Sequence, residues 1–153
     1  TPRNSEINRD TTTTCHNNIT WYSSRMNKDF DKWNNIKKAS HSNGENKFYH
    51  EREIWWCSLG VNVGFEQDGS GKEFRRPVLI LKGLSRETCL VVPLTTARKD
   101  HPMRLTIGLV HGKTAQAIIS QVRVIDTKRF VSKLGYLDKK VFEALRKAVR
   151  DLI

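Results

Sequence analysis

Three polar residues at the borders of apolar segments could do chemistry together. Glu66 lies in a glycine-rich loop, Arg76 directly precedes the apolar run Val78–Leu81, and Thr95 ends the next apolar run. An arginine side chain stays protonated and can bridge two oxygens of a phosphoryl group, while a hydroxyl can hydrogen-bond such an oxygen and fix its geometry. A carboxylate at its ordinary pKa, about 4.3, is a weak base at neutral pH unless burial raises that pKa. These residue types favour a site for an anionic group.

The elements that must position these groups are short strands with frequent turns. Strands are predicted over residues 54–59, 77–81, 88–95, 104–110, 114–120, 121–125 and 131–137. His111-Gly112-Lys113 is a predicted hairpin turn, and Asp126–Arg129 a helical turn. Asp138 is predicted to cap a final helix, whose apolar face contains Val141, Phe142, Leu145, Ala148, Val149 and Leu152. This pattern predicts a mainly β fold, a small and strongly bent barrel capped by the helix.

The first fifty residues differ from the rest in composition. Residues 1–25 are polar, and we expect a disordered or non-native leader there. We expect an N-terminal helix and linker over 26–50 and the barrel domain over 51–153. The helix is predicted from Asn27 to Ala39, with Asn27 or Asp29 as its cap and with Phe30, Trp33 and Ile36 on one face. Two interpretations stay open: the helix covers an edge of the barrel, or it docks a partner or lines RNA.

Charge and cysteine content limit the classes of function. The 153 residues contain 27 Lys+Arg and 16 Asp+Glu, giving a formal net charge of +11 and a pI near 9.9, which favours a polyanionic partner. No apolar run approaches the roughly 18 residues of a membrane span. Cys57 and Cys89 lie in apolar strands and are predicted to be buried thiols, while Cys15 lies in polar sequence. An odd number of cysteines without C-x-x-C pairs indicates a reduced cytoplasmic protein.

Seven short motifs occur in one order along the second two-thirds of the chain. They are Ile54-Trp-Trp, Gly64-Phe-Glu66-Gln67, Arg76-Pro77-Val-Leu-Ile, Val92-Pro93-Leu-Thr95-Thr96, Gln121-Val-Arg123-Val-Ile-Asp126, Lys128-Arg129 and Lys133-Leu-Gly135. Taken together, they resemble the PemK/MazF toxins of type II toxin–antitoxin systems. The resemblance covers about residues 51–153.

The resemblance implies a small SH3-like β-barrel of the PemK/MazF/CcdB type that forms a homodimer. It implies a metal-independent, cofactor-free endoribonuclease that cuts single-stranded RNA at short sequences. It further implies a cognate antitoxin, whose peptide fills the RNA groove, and a toxin–antitoxin complex that binds DNA. Cleavage without a metal uses the ribose 2′-OH as nucleophile and leaves a 2′,3′-cyclic phosphate and a 5′-OH.

The resemblance also assigns residues. The catalytic arginine falls on Arg76 and the hydroxyl residue on Thr95, and supporting roles fall on Glu66, Gln67, Thr96 and Gln121. RNA contacts are expected from Lys72, Arg75 and Arg123.

The loop insertion 68–75 has two interpretations: a lid that orders over RNA, or a solvated hairpin tip. Some family members use a histidine and an Arg-x-Asp at the positions of Phe65, Ile118 and Ser120, so the general base is unassigned. Glu66 is the best nearby candidate for that base. We expect Glu66 to hydrogen-bond Arg76. For Arg76 itself, the alternative is a strand-end charge paired with Glu66 or Glu73.

A second function belongs to another class: a non-catalytic barrel that binds RNA or poisons a protein target such as gyrase. The gyrase poisons of this fold use a C-terminal Trp-Gly-Ile. This chain ends Asp151-Leu152-Ile153 without that tryptophan, which argues against gyrase.

Overall fold

The computed structural model describes residues 27–153; the predicted leader, residues 1–25, lies outside them. Two helices, α1 (Phe30–Asn43) and α2 (Lys139–Asp151), flank the strands of the described range. The strands are β1 (Glu53–Ser58), β2 (Arg75–Gly83), β3 (Thr88–Thr95), β4 (Arg104–Val110), β5 (Lys113–Ile118), β6 (Arg123–Asp126) and β7 (Phe130–Tyr136). Single 3-10 turns occupy Ile119–Gln121 and Thr127–Arg129.

The strands form one antiparallel, curled sheet in the order β4-β5-β3-β2-β1-β7. One edge of β3 is shared by two strands, because Thr88–Val91 pairs with β6 and Leu94–Thr95 pairs with β5. A bulge near Lys82 breaks the register between β2 and β3, and such bulges increase local bending. The predicted mainly β fold with a helix at each end is confirmed, and the sheet is a half-barrel.

Strand β2 is buried on both faces, which explains its continuous apolar sequence. Alternate side chains of a strand point to opposite faces. Leu79 and Leu81 join a cluster with Phe142 and Leu145 of α2, whereas Val78 and Ile80 join a second cluster. The sheet therefore has a hydrophobic core on each side of β2.

The second cluster contains the two predicted buried thiols. Cys57 and Cys89 are both inaccessible to solvent, and burial raises the pKa of each to about 12. Beside them, Trp55 stacks on Phe130 with ring centroids 5.0 Å apart. The prediction of buried thiols is confirmed for these two cysteines; Cys15 lies outside the described residues.

Helix α2 begins as the sequence predicts. The Oδ2 of Asp138 accepts hydrogen bonds from the backbone N–H groups of Lys140 (3.0 Å) and Val141 (3.3 Å). Phe142 and Leu145 are fully buried. Leu152 was predicted on the same face, but the helix ends at Asp151 and Leu152 is 41% exposed.

Helix α1 differs from its prediction at the C-terminal end and on one face. Asp29 caps it by accepting from the Lys32 N–H at 2.9 Å. The helix continues past the predicted end at Ala39 to Asn43, through residues predicted to be linker. Trp33 is buried, but Phe30 is 48% exposed, because α1 contacts the barrel only along a narrow stripe. Neither helix of the described range is long and apolar enough to cross a membrane.

Candidate active site

Arg76 and Thr95 lie at neighbouring ends of adjacent strands. Strands β2 and β3 are antiparallel, and Val78 is paired with Pro93, so the first residues of β2 meet the last residues of β3. Arg76, Thr95 and Thr96 line one cavity of about 370 Å³. A larger hollow of about 660 Å³, next to the β2–β3 turn, contains none of the predicted site residues.

The guanidinium of Arg76 is held by two main-chain carbonyls. Its Nε donates to the carbonyl oxygen of Asp68 at 2.6 Å, and its Nη1 donates to that of Leu94 at 3.1 Å. Within residues 27–153, no carboxylate forms a salt bridge with it. Burial lowers the pKa of Arg76, Arg104 lowers it further, and the charge of Asp68 opposes both effects. Within the described residues, Arg76 is therefore a fixed, half-buried cation that forms no salt bridge.

Thr95 is oriented by the turn that follows β3. Its Oγ1 accepts a hydrogen bond from the N–H of Ala97 at 3.1 Å, which leaves the hydroxyl hydrogen free to be donated. The carbonyl of Ala97 in turn accepts from Nη1 of Arg104 at 3.0 Å. Arg104 thus braces this turn and adds positive charge beside Arg76.

Gln121 holds the loop that precedes β2. Its Oε1 accepts from the backbone N–H of Gln67 at 3.1 Å, and its Nε2 donates to the Phe65 carbonyl at 3.4 Å. The side chain of Gln67 donates to the carbonyl of Asp68 at 3.2 Å. That carbonyl also anchors Arg76, so Gln67 and Gln121 support the site through the loop backbone.

The expectation that Glu66 hydrogen-bonds Arg76 is wrong. Glu66 is exposed, and its Oε2 accepts from the backbone N–H of Val63 at 3.3 Å within its own turn. The alternative partner, Glu73, forms a 2.7 Å salt bridge with Arg75 instead. Main-chain carbonyl oxygens, and not these carboxylates, accept the hydrogen bonds from Nε and Nη1 of Arg76.

The three residues expected to contact RNA do not gather around Arg76. Residues 70–75 form a hairpin closed by backbone hydrogen bonds between Ser70 and Arg75, and Lys72 is exposed at its tip. Arg75 borders a different hollow, together with Arg129. Arg123 lies on β6, opposite Val91 of β3. The cavity that contains Arg76 is lined by none of the three.

His111 lines the same cavity as Arg76 and Thr95, and sequence analysis assigned it no role. It forms the β4–β5 turn with Gly112, where φ is 53° and 78°, the backbone signs of a type I′ hairpin. Lys113, the first residue of β5, lines the cavity too. Only the pairing of β5 with β3 brings this turn to the site, and sequence spacing does not show that pairing.

A metal site would need several ligand side chains close together. Among residues 27–153, no three His, Cys, Asp or Glu side chains are grouped in that way.

A family model described as a PemK-like, MazF-like toxin of type II toxin–antitoxin systems matches residues 50–153. The chain belongs to this family. No curated protein sequence matches the chain. The match begins after α1, so the helix lies outside the part that the PemK/MazF-like toxin model describes.

Three solved structures of similar fold are distant from this chain in sequence. MazF from Deinococcus radiodurans is 21% identical with a TM-score of 0.56, covering 70% of this chain and 97% of that one. A MazE–MazF complex from the same organism has a TM-score of 0.53 at 17% identity, covering 70% and 96%. An endoribonuclease from a mycobacterial species has a TM-score of 0.52 at 15% identity, covering 69% and 91%. At these identities, the three structures show that this PemK/MazF-like toxin shares their fold.

Proposed function

We propose that this PemK/MazF-like toxin is a metal-independent endoribonuclease that cuts single-stranded RNA at short sequences. The observation that carries the proposal is the state of Arg76. A guanidinium has five N–H donors, and two of those of Arg76 are used by the carbonyls of Asp68 and Leu94. Arg76 lines a cavity together with Thr95. A positioned, partly desolvated cation is suited to stabilise the charge that develops on a phosphoryl group.

The reaction that these groups suit is an internal phosphoryl transfer. The ribose 2′-oxygen attacks the adjacent phosphorus, the bond from phosphorus to the 5′-oxygen breaks, and a 2′,3′-cyclic phosphate forms. The 2′-OH loses a proton to a base, and the departing 5′-oxygen gains one. Arg76 stabilises the doubly charged phosphorus centre, and Thr95 donates its hydroxyl hydrogen to a phosphoryl oxygen and holds it in line.

His111 is the better-supported proton acceptor. It lines the cavity with Arg76, whereas Glu66 does not. The ring nitrogens of a histidine can accept and donate a proton, as general acid–base catalysis requires. Glu66 is exposed and accepts a hydrogen bond within its own turn.

The proposed partners follow from charge and from family membership. A net charge of +11 favours single-stranded RNA, and Lys113 and Arg104 add positive charge near the site. A cognate antitoxin with an acidic or apolar tail suits the same groove, and one of the structural neighbours is a MazE–MazF complex. We also propose that the barrel acts as a homodimer.

The experiment uses a long single-stranded RNA incubated with the protein in EDTA. Discrete fragments with 5′-OH ends and cyclic phosphates support the proposal, and a substrate with 2′-deoxyribose at the cut position must stay intact. Persistent cutting of that substrate overturns the 2′-OH mechanism. RNA that is bound but uncut supports the second candidate, a non-catalytic barrel.

A further inference from the structure

We propose that Lys28 is a positioning residue that clamps the β1–β2 loop and thereby orients Arg76 for catalysis. Its Nζ donates to the carbonyls of Asn62 (2.6 Å) and Gly64 (2.8 Å) and forms a 2.9 Å salt bridge with Asp68. These three contacts of Lys28 are features of the folded loop. Their consequence for catalysis rests on the proposed function.

The salt bridge of the clamp is largely shielded from solvent. The side chain of Lys28 is 10% exposed and that of Asp68 is 27% exposed. Three acceptors around one ammonium group satisfy all of its donors, and hydrogen bonds from a charged donor are stronger than neutral ones. Removing Lys28 would therefore leave two loop carbonyls and a half-buried carboxylate without their cation.

Asp68 links the clamp to the site. Its Oδ1 accepts from the backbone N–H of Asn62 at 2.6 Å, which closes the loop on itself. Its Oδ2 is held by Lys28. Its main-chain carbonyl accepts from Nε of Arg76. One residue therefore joins Lys28 to the guanidinium, and a shift of Asp68 would shift Arg76.

Helix α1 fixes the position of Lys28. Trp33 is 4% exposed and meets Phe74, at the end of the loop, edge-to-face with ring centroids 6.2 Å apart. The guanidinium of Arg129 lies 5.7 Å from its ring. Gly60 has a φ of +83°, and a Cβ there would lie 2.0 Å from Trp33 Cε2. The glycine thus provides the room that lets α1 dock on the loop.

Trp33 of α1 contacts Phe74 at the end of the loop and Arg129 of the 3-10 turn at Thr127–Arg129. Trp33 is the single buried residue of α1, and the family model starts only at residue 50. The helix therefore adds to the family barrel a support for the loop that leads into Arg76.

The test compares Lys28→Met with Lys38→Met, a matched control on the exposed surface of α1. Amide hydrogen exchange is measured on the full chain without RNA. In Lys28→Met, we expect the amides of Asn62 and Gly69 to exchange about tenfold faster, because their hydrogen bonds depend on the closed loop. In Lys28→Met, the amides of the β2–β3 ladder should exchange as in the wild type. In the control Lys38→Met, the loop amides should also exchange as in the wild type. Unchanged loop exchange in Lys28→Met overturns the clamp.

The catalytic half of the proposal is read from kcat and KM separately. Misplaced catalytic groups lower kcat by about tenfold to a hundredfold, and KM should change little because the RNA-binding charges remain. A faster-exchanging loop with wild-type kcat overturns the positioning role. If the wild-type chain cuts no RNA, the proposed function fails, and the clamp is judged by exchange alone.

A second variant keeps the test decisive if Lys28→Met does not fold. Asp68→Asn retains an oxygen for the Asn62 amide and removes only the charge that pairs with Lys28. In Asp68→Asn alone, the amides of Asn62 and Gly69 should exchange faster than in the wild type, because the loop has lost its ion pair with Lys28. Unchanged loop exchange in Asp68→Asn overturns the link between the two residues.

Discussion

Arg76 donates a 2.6 Å hydrogen bond from Nε to the main-chain carbonyl of Asp68. The candidate catalytic cation on β2 is therefore oriented by the loop that precedes its own strand. A second bond, to the carbonyl of Leu94 on β3, fixes the other side of the guanidinium. Because both acceptors are uncharged carbonyls, neither hydrogen bond neutralises the positive charge of Arg76.

Replacing the hydroxyl of Thr95 tests its role in orienting phosphate. Thr95→Val removes the donor while keeping a β-branched side chain, so we expect kcat for RNA cleavage to fall by about 10²-fold. Thr95→Ser should recover most of the activity because it restores the hydroxyl. A Thr95→Val enzyme with wild-type kcat would remove Thr95 from the mechanism.

Two variants distinguish the two candidate bases. His111→Gln should lower kcat for RNA cleavage at neutral pH by about 10²-fold, because the ring nitrogen that accepts the proton is lost. Glu66→Gln should cut RNA at close to the wild-type rate, because Glu66 does not line the cavity. Loss of cleavage in Glu66→Gln together with wild-type cleavage in His111→Gln would reverse the assignment.

Glu53 links stability to pH. It is 7% exposed, and burial alone would raise its pKa. Hydrogen bonds from Trp55, His50 and Lys133 outweigh burial and lower it. A lowered folded-state pKa gives stability that is complete above the unfolded value, about 4.3, and lost as the pH falls through the folded value.

We therefore expect Glu53→Gln to lower the free energy of unfolding at pH 7 by about 1–3 kcal/mol. Its unfolding free energy should also depend less on pH below about pH 5 than that of the wild type. Urea unfolding across pH measures both effects. Glu143→Gln, on the exposed surface of α2, is the matched control. Parallel pH dependence in Glu53→Gln and the wild type would contradict the linkage.

The sequence predicts the barrel strands because these depend on local patterns, whereas the assignment of Arg76 and Thr95 rests on the resemblance to the PemK/MazF toxins. Apolar runs and turn residues predict where the strands end. Asp138 predicts the start of α2, because an aspartate can cap the first backbone N–H groups of a helix. Lys28, Asp68 and His111 escaped prediction, because their importance comes from contacts between segments distant in the chain. Lys28 donates to the carbonyl of Asn62, 34 positions further along the chain, and a lysine just before a helix has no local signature of burial.

The prediction about Glu66 failed for a related physical reason. A carboxylate near an arginine in sequence suggests an ion pair, but the backbone of the loop supplies the acceptor instead. The carboxylate of Glu66 instead accepts a hydrogen bond from the backbone N–H of Val63 in its own turn. Sequence shows which charges are close along the chain, whereas the path of the loop decides which atoms meet.

The role of Arg76 is tested by comparing RNA cleavage by Arg76→Ala with cleavage by Arg86→Ala in EDTA. Arg86 is an exposed arginine in the β2–β3 turn, at the opposite end of these strands. Circular dichroism and thermal unfolding confirm that both variants are folded. We predict that Arg76→Ala loses cleavage by on the order of 10³-fold or more, while Arg86→Ala cuts like the wild type. A folded Arg76→Ala protein that still cuts RNA at the wild-type rate would contradict the account.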